Sequence, residues 1–429
     1  MKTGNQLKRR KNRIFNCSKK TPVFLQEFFI LKGIILEYYK MENEKYKRYN
    51  NIKLAIGIGK GTLSFIFILL FVLLGYSTLL AEYFSEYISN SYLLFIAFVF
   101  TVGAVTGIIF APVNYYTDFY LEHKYNLSNQ TFIKYMLERL KGLLVSIIIG
   151  VPVLIFFFYV LNRFGSLWWL PLAIGLFILS VVLGRIAPVL ILPLFYKVTP
   201  IDNENLPADK AELKSRIERL SKDAGIKVEN VYKFDMSKNT KKANAAFTGI
   251  GKSKRILLGD TLLDNYTQDE IETVIAHELG HYKKKHIIKN IIIGTVTSFF
   301  TLFLVASLYE YTIGFFGFNS ISKIAALPIL SLWGAVIGLI QSPFNNILSR
   351  KFEYEADEYA VTSTGKASSY ISTLEKLTEQ NLADKDPHPF IEWFFYSHPS
   401  IKNRINALKK FIDKGNNPSL PGELEFEGN

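Results

Sequence analysis

Six apolar runs of about 20 residues constrain the fold of this chain more than any other feature. A helix needs about 20 such residues to cross a hydrocarbon core about 30 Å thick. A charged side chain at the centre of a bilayer is costly, and the runs are nearly free of charge. The sequence therefore predicts an all-α polytopic membrane protein with six spans. The runs are residues 61–80, 92–112, 143–161, 168–187, 290–312 and 324–344.

A seventh, weaker stretch precedes them. The residues from Phe24 to Tyr38 are largely apolar but include three charged side chains and a glutamine. We predict that this stretch lies at the membrane interface or on the periphery, within a basic N-terminal extension.

Lysine and arginine are unevenly distributed among the connections between the runs. Basic loops are retained on the cytoplasmic side of a membrane, so we expect both termini there. This pattern accounts for the net charge of +13 without a nucleic-acid partner. Cys17 is the only cysteine, which excludes a disulfide framework and a thiolate metal site. The basic connections are 113–142, 188–289 and the tail after 344, and the basic-poor ones are 81–91, 162–167 and 313–323.

Residues 188–289 form the longest stretch without a predicted span. Apolar residues at helical spacing predict a helix over Asp209–Ala224. Three short runs, around Val231–Asp235, Asn244–Ile250 and Arg255–Asp260, predict a small β element. Thr267 and Glu270 have the spacing of a capping box, which predicts that a further helix begins there.

That helix carries His277, Glu278 and His281 in the pattern H-E-x-x-H. Residues four apart lie on one helical face, so both imidazoles can bind one metal ion. Two neutral histidine nitrogens suit a catalytic zinc site, in which Glu278 would be the general base that deprotonates the attacking water. With six histidines in the chain, a chance match is rare. The motif predicts a peptidase with one Zn²⁺ per chain.

His286 is a tempting third ligand. It lies five residues beyond His281, which on a continuous helix is about 140° away from the metal face. Lysines occupy positions 283–285, so we predict that His286 is a surface residue.

The third ligand is therefore sought further along the chain. Glu353 and Asp357 follow the last span four residues apart. One carboxylate can bind the metal while the other accepts a hydrogen bond from a ligand histidine. On spacing alone, these acids could equally form an exposed charged face.

In order and spacing, six segments within residues 61–410 resemble the integral-membrane type 1 CAAX prenyl proteases, which are zinc metallopeptidases. The resemblance implies a helical barrel around a water-filled chamber, with a cytoplasmic zinc-peptidase domain that contains the small β element. That family usually has seven spans, and the first is weak or missing here. The segments are HELGHYKKKH, SRKFEYEADEYA, NAAFTGIGKSKRILLGDTLL, LEHKYNLSNQT, IAPVLILPLFYKVTP and YSHPSIKNRINAL.

The resemblance also implies roles for individual residues. It makes Glu353 the third zinc ligand and Asp357 the acid that orients a ligand histidine. It places His398 and Arg404 near the scissile carbonyl, where they would stabilise the developing oxyanion. Without it, an isolated histidine and arginine after a turn would be surface residues. The residues implied to bind the substrate backbone, by pairing at a strand edge, are Asn244, Ala245 and Ala246.

The predicted function is a membrane zinc endopeptidase that cuts near the C-terminus of a prenylated or membrane-associated peptide. We expect it in the bacterial cytoplasmic membrane rather than the endoplasmic reticulum, with its site on the cytoplasmic side and lipid as its other partner. One alternative is a heat-shock-type quality-control metalloprotease, which typically has fewer spans before the motif. Another is a transporter or channel, which would require ionisable residues within the spans.

The predicted organisation follows the spans. It comprises a basic extension (1–60), transmembrane helices (61–187), the cytoplasmic metallopeptidase segment (188–289), further transmembrane helices (290–344), a cytoplasmic segment with the glutamate ligand (345–412) and a disordered tail (413–429).

Overall fold

The computed structural model describes residues 23–201, 210–225, 230–248 and 255–416, with only the backbone for 23–43, 230 and 416. The chain divides into two units, Met1–Tyr49 and Asn50–Asn429. In the first unit the described residues are helical. Of the predicted disordered tail, 413–429, the described residues 413–416 belong to the helical segment Ile412–Asn416, and the rest lie outside the described part of the chain.

Helices make up most of the described residues. The principal helices are α1 (Val23–Leu73), α2 (Tyr76–Tyr87), α3 (Ser91–Tyr115), α4 (Phe132–Phe164), α5 (Trp169–Ile186), α6 (Leu213–Asp223), α7 (Asp260–Asn265), α8 (Gln268–Lys283), α9 (His286–Thr312), α10 (Pro328–Thr364), α11 (Ala367–Gln380), α12 (Pro389–Phe395) and α13 (Ile401–Phe411).

Within the described residues, six helical segments are long and apolar enough to cross a membrane. They overlap the six predicted runs, so the predicted number of spans is confirmed. With their short extensions, the segments are Glu44–Leu73, Ser91–Lys124, Phe132–Leu167, Trp169–Phe195, His286–Phe316 and Ile324–Thr364.

The first span differs from its prediction. The apolar run 61–80 crosses a break, because Gly75 has a φ of 77° and a new helix begins at Tyr76. Glycine adopts this left-handed conformation without a Cβ clash. The spanning segment is therefore the end of α1. The backbone of 24–38 belongs to the same helix, but its side chains are outside the described set, so its interfacial placement stays a prediction.

The small β element is a four-stranded sheet of order β1-β2-β4-β3. The central pair, β2 and β4, is parallel, and both outer pairs are antiparallel. Three strands match the predicted runs, whereas β1 was not predicted because it has only three residues. β3 lies at an edge of the sheet. The strands are β1 (Val198–Pro200), β2 (Asn230–Phe234), β3 (Ala245–Thr248) and β4 (Arg255–Gly259).

A single buried core unites the sheet with the helices around it. The amphipathic helix α6 contributes Leu213 and Ile217, the sheet contributes Leu258, and α8 contributes Ile271 and Leu279. All five side chains are fully buried. Residues of α10 and α11 complete the same cluster. The helix that carries the H-E-x-x-H motif is thus fixed on several sides by apolar packing.

The helical extension of α3, which ends at Lys124, and the loop that follows it contact both α1 and the segment before β3. The carboxylate of Glu122 lies 2.8 Å from Nζ of Lys53 in α1 and 2.9 Å from Nζ of Lys242, just before β3. Ser128 and Thr240 form an isolated antiparallel bridge. These contacts explain why the segment LEHKYNLSNQT matters, since it anchors the chain that leads into the edge strand.

Candidate metal centre

Three side chains from two helices converge on one point. The α8 capping box is present, with Thr267 and Glu270 each bonded to the other's backbone, and it fixes the start of the motif helix. The Nε2 atoms of His277 and His281 lie 3.2 Å apart. Each lies 3.4 Å from a carboxylate oxygen of Glu353 in α10.

The separation of the two histidine nitrogens fits a shared metal ion. Ligand atoms about 2.0–2.1 Å from a zinc ion, at the corners of a tetrahedron, lie about 3.3 Å from one another. The two histidine nitrogens are at this separation, and Glu353 presents one oxygen to each of them, Oε2 to His277 and Oε1 to His281. Among the described residues, His277, His281 and Glu353 are the only group of histidine, cysteine and acidic side chains with this convergence.

A buried carboxylate orients the first histidine. Nδ1 of His277 lies 3.0 Å from an oxygen of Asp357, so its Nε2 is directed at the metal position. Burial alone would lower the pKa of His277, but hydrogen bonds to Asp357 and Glu353 raise that pKa to about 9. The two carboxylates thus place negative charge beside His277, which suits a bound cation.

Asp357 is held in turn by two side chains. Tyr370 of α11 donates a 2.6 Å hydrogen bond to Asp357. Arg404 of α13 binds both carboxylate oxygens, with 2.8 Å between its Nε and Oδ2. The guanidinium of Arg404 is therefore engaged with Asp357, and its Nη1 lies 3.8 Å from Glu353. This geometry supports a role for Arg404 in positioning; its predicted role at the oxyanion stays a prediction.

The prediction that His286 lies on the surface is wrong. The motif helix ends at Lys283, Lys285 adopts a left-handed φ of 58°, and α9 begins at His286. The extrapolation along a continuous helix therefore fails. His286 turns back, is 1% exposed and lies 3.0 Å, Nδ1 to Nδ1, from His281. The prediction that His286 is not a metal ligand agrees with the structure, in which the converging group consists of His277, His281 and Glu353.

A cavity of about 310 Å³ opens beside the metal position. Glu278 lines it, half-buried, and makes no hydrogen bond with another described side chain. The cavity is also bounded by Asn244 and Ala245, where the chain enters β3. Among the described residues, β3 pairs only with β4. The other edge of β3 is therefore available for pairing with a strand from a bound peptide. The predicted base and the predicted substrate strand thus face the same space.

His398 reaches this cavity from the C-terminal segment. It is exposed, and its Nε2 lies 3.5 Å from a Glu353 oxygen. Its loop is held at both ends. Arg350, one turn before Glu353, donates to the backbone carbonyls of three residues at the end of α12. The buried carboxylate of Glu392 accepts hydrogen bonds from Ser400 and Asn403.

The sequence did not reveal Tyr370 or Asn381 as site residues. Tyr370 is 93 positions after His277 in the chain, and a tyrosine on an amphipathic helix is usually part of the core. Asn381 donates to the carbonyl of Ala243 and accepts from its N–H, which fixes the chain just before Asn244. An asparagine after a helix normally indicates only a helix end, so no signal distinguished it.

Comparison with known proteins places this geometry in context. The profile described as "Peptidase family M48" matches residues 207–412. The profile described as "CAAX prenyl protease N-terminal, five membrane helices" matches residues 34–197. Together they include the spans before the sheet and every residue of the metal centre.

Individual relatives cover most of the chain. CAAX prenyl protease 1 of Saccharomyces cerevisiae is 30% identical over 75% of this chain and 73% of its own length. CAAX prenyl protease 1 homolog of Homo sapiens is 31% identical over 76% and 74%. The uncharacterized metalloprotease YhfN of Bacillus subtilis is 30% identical over 86% and 84%.

A solved structure shares the fold. The crystal structure of S. mikatae Ste24p matches with a TM-score of 0.73 at 25% identity, over 86% of this chain and 89% of that one. The predicted fold class, a helical membrane protein with a chamber and a small β element, is confirmed.

Proposed function

This chain belongs to peptidase family M48 together with the CAAX prenyl proteases, and on that premise we propose a zinc endopeptidase of prenylated or membrane-associated peptides. The chain is a multi-pass membrane metalloprotease, so the predicted enzyme class is confirmed and a transporter or channel is not supported. The observation that carries the finer proposal is the convergence of His277, His281 and Glu353 at 3.2–3.4 Å.

The donor set supports zinc. Two imidazole nitrogens and one carboxylate are a common ligand set of catalytic zinc, which keeps a fourth position open. When bound, the ion would polarise the substrate carbonyl and acidify water at neutral pH. Asp357 would keep His277 in the tautomer that presents Nε2.

We assign the proton transfer to Glu278. Its carboxylate lies in the cavity beside His277 and His281 and has no competing hydrogen-bond partner among the described side chains. It would take a proton from the attacking water and later deliver it to the leaving amine. Its place on α8, within one turn of both histidines, holds it beside the reacting atoms.

His398 is the group best placed to stabilise the oxyanion. It lines the cavity beside the metal position, and it is exposed enough to turn toward a substrate. Arg404 would act mainly through Asp357, which it holds with a guanidinium group that is largely shielded from solvent. Its Nη1, near Glu353, adds positive charge at the cavity wall.

The edge strand supplies a site for the peptide. An extended peptide can pair with the outer edge of β3 through main-chain hydrogen bonds. Such pairing recognises the peptide backbone rather than its side chains. Asn244, Ala245 and Ala246 are the proposed contacts. Asn381 holds the preceding residue, Ala243, in place, so the strand enters the cavity in a fixed position.

The proposed location is the cytoplasmic side of a bacterial cytoplasmic membrane. Support comes from the basic loops next to the metal-binding segments and from a Bacillus subtilis relative that matches 86% of this chain. Prenylated substrates are proposed from the names of the yeast and human relatives.

The proposal is tested with purified full-length protein and two variants. Glu278→Gln keeps the ligands, so we expect stoichiometric zinc and no cleavage; His277→Ala should lose both. Zinc is measured by elemental analysis, and products from prenylated and unprenylated peptides are identified by mass spectrometry. Full activity of Glu278→Gln, or of the chelator-treated enzyme, would refute the mechanism. Equal cleavage of both peptides would refute the requirement for a prenyl group.

A further inference from the structure

The two histidines of the metal centre are held in different ways. His277 donates directly to the carboxylate of Asp357. The other nitrogen of His281, Nδ1, faces an imidazole instead, at 3.0 Å from Nδ1 of His286. His286 in turn lies 3.0 Å, through its Nε2, from a carboxylate oxygen of Glu355.

The hydrogen-bond network determines where the protons lie. Nε2 of His281 points at the other two ligands, so a metal-binding His281 carries its proton on Nδ1. That proton can only be donated to His286, whose Nδ1 must then be an acceptor. His286 therefore carries its own proton on Nε2 and donates it to Glu355. These positions are assigned from the network rather than observed, and they satisfy all three groups at once.

The position of His286 is tightly restricted. Its ring stacks on Phe352 with 4.2 Å between centroids and 9° between planes. It is 1% exposed, so water does not compete for its nitrogens. Phe352 and Glu355 both belong to α10, on either side of the ligand Glu353. Through His286, the ligand His281 is thus connected to α10, the helix that supplies the third ligand, Glu353.

We propose that His286 and Glu355 are positioning residues for the metal ligand His281, through the chain Glu355–His286–His281. This inference rests on the proposed metal site. Hydrogen-bond partners of metal-bound histidines fix the ring and tautomer, and their loss typically costs about 10–100-fold in metal affinity or activity. His277 contacts its carboxylate, Asp357, directly. On the His281 side an imidazole, that of His286, lies between the ligand and the carboxylate of Glu355.

The test uses full-length protein in detergent and the variant His286→Phe. Phenylalanine keeps the ring that stacks on Phe352 and removes both hydrogen bonds. We expect about 10–100-fold weaker zinc binding or a comparably lower kcat, and a shifted d–d absorption spectrum of the cobalt-substituted protein. A spectral change reports ligand geometry, which a role in packing alone would leave unaltered.

Glu355→Gln keeps the test valid if His286→Phe fails to fold, because Glu355 is a quarter exposed. We expect a smaller change of the same sign, since the amide accepts the proton of His286 without its charge. Glu358→Gln, the same substitution one turn along α10, is the matched control and should behave as wild type.

The outcomes separate this inference from the proposed function. If the wild-type protein binds no zinc, the proposed metal site itself is wrong. If it binds zinc and cleaves peptide, while both variants match Glu358→Gln in zinc affinity, kcat and cobalt spectrum, the positioning role is overturned.

Discussion

Gly280 of α8 lies so close to Ala356 of α10 that a Cβ atom on Gly280 would be 3.1 Å from the Ala356 Cα and 3.2 Å from its carbonyl oxygen. Carbon atoms in favourable contact lie about 3.5–4.0 Å apart. The opposing atoms are backbone and cannot rotate away. Because His281 follows Gly280, this contact sets the distance between the two helices that carry the ligands.

Gly280→Ala should therefore weaken the metal site. The added methyl group would push α8 away from α10, and overpacking of this kind costs about 1–3 kcal/mol. We expect a lower melting temperature and weaker zinc binding than wild type. Gly142→Ala in α4 is the control, since its Cβ would meet nothing within 4 Å. Unchanged zinc affinity in Gly280→Ala would contradict this account.

Asp357→Asn should damage both the metal site and the fold. The substitution removes the negative charge that orients His277, and it replaces one of the two carboxylate oxygens that Arg404 binds with an NH₂ group that cannot accept a hydrogen bond. We expect zinc affinity to fall about 10–100-fold and the free energy of unfolding to fall by about 3–5 kcal/mol. Zinc titration and thermal unfolding of the metal-free protein measure the two effects separately.

The matched variant for that comparison is Tyr370→Phe. It removes the hydroxyl that donates to Asp357, accepts from Arg404 and lies 2.9 Å from Nδ1 of His277, but it keeps the ring and the charge pair, so the loss should be about 1–3 kcal/mol. A larger effect from Tyr370→Phe than from Asp357→Asn would show that the tyrosine, not the acid, orients His277.

His398→Ala should reduce kcat without loss of zinc. The side chain is exposed and is not a ligand, and removal of one oxyanion donor typically costs about 10²–10³ in kcat. Zinc content and melting temperature should stay at the wild-type values. His388→Asn, another exposed histidine of the same segment, is the control. A rise in KM with unchanged kcat would instead indicate a role in binding peptide.

Lys366→Met should lower stability at pH 7 more than at pH 2, which lies below the ordinary pKa of an aspartate. Lys366 lies 2.6 Å from Asp269, and this hydrogen bond lowers the pKa of Asp269. Because the pKa of Asp269 is lower in the folded protein than in the unfolded chain, its ionised carboxylate stabilises the fold at any pH above the unfolded pKa. This stabilisation is lost as the pH falls through the folded pKa and Asp269 is protonated. Because Asp269 is half exposed, solvent screening limits the effect to less than about 1 kcal/mol. Melting temperatures across this pH range provide the measurement.

Features that depend on local pattern were predictable from the sequence. Six apolar runs gave six spans because the length of such a run is fixed by bilayer thickness. The capping box of Thr267 and Glu270 located the start of α8, and four-residue spacing placed His277 and His281 on one face. In each case a single element contains the whole signal.

Features that depend on chain reversal or tertiary packing could not be predicted from the sequence. Lys283, Lys284 and Lys285 are ordinary helix residues, so nothing in the sequence indicates that α8 ends there and that His286 folds back. Glu353 and Asp357 lie on one face of α10, and only the packing of that helix against α8 distinguishes ligand from partner. Tyr370 and Asn381 join the site from distant positions, where their residue types carry no signal.

The helix α10 runs for 37 residues, from Pro328 to Thr364, and carries both the last span and Glu353. At about 1.5 Å per residue, Glu353 lies about 14 Å beyond residue 344, where the predicted span ends. With the membrane surface at residue 344, as the sequence predicts, the metal position would lie at a set height above the bilayer. For a substrate whose lipid anchor stays in that bilayer, the distance from the anchor to the metal position would select the peptide bond that is cut. Moving the anchor by three residues along a peptide should therefore move the cleavage site by three residues.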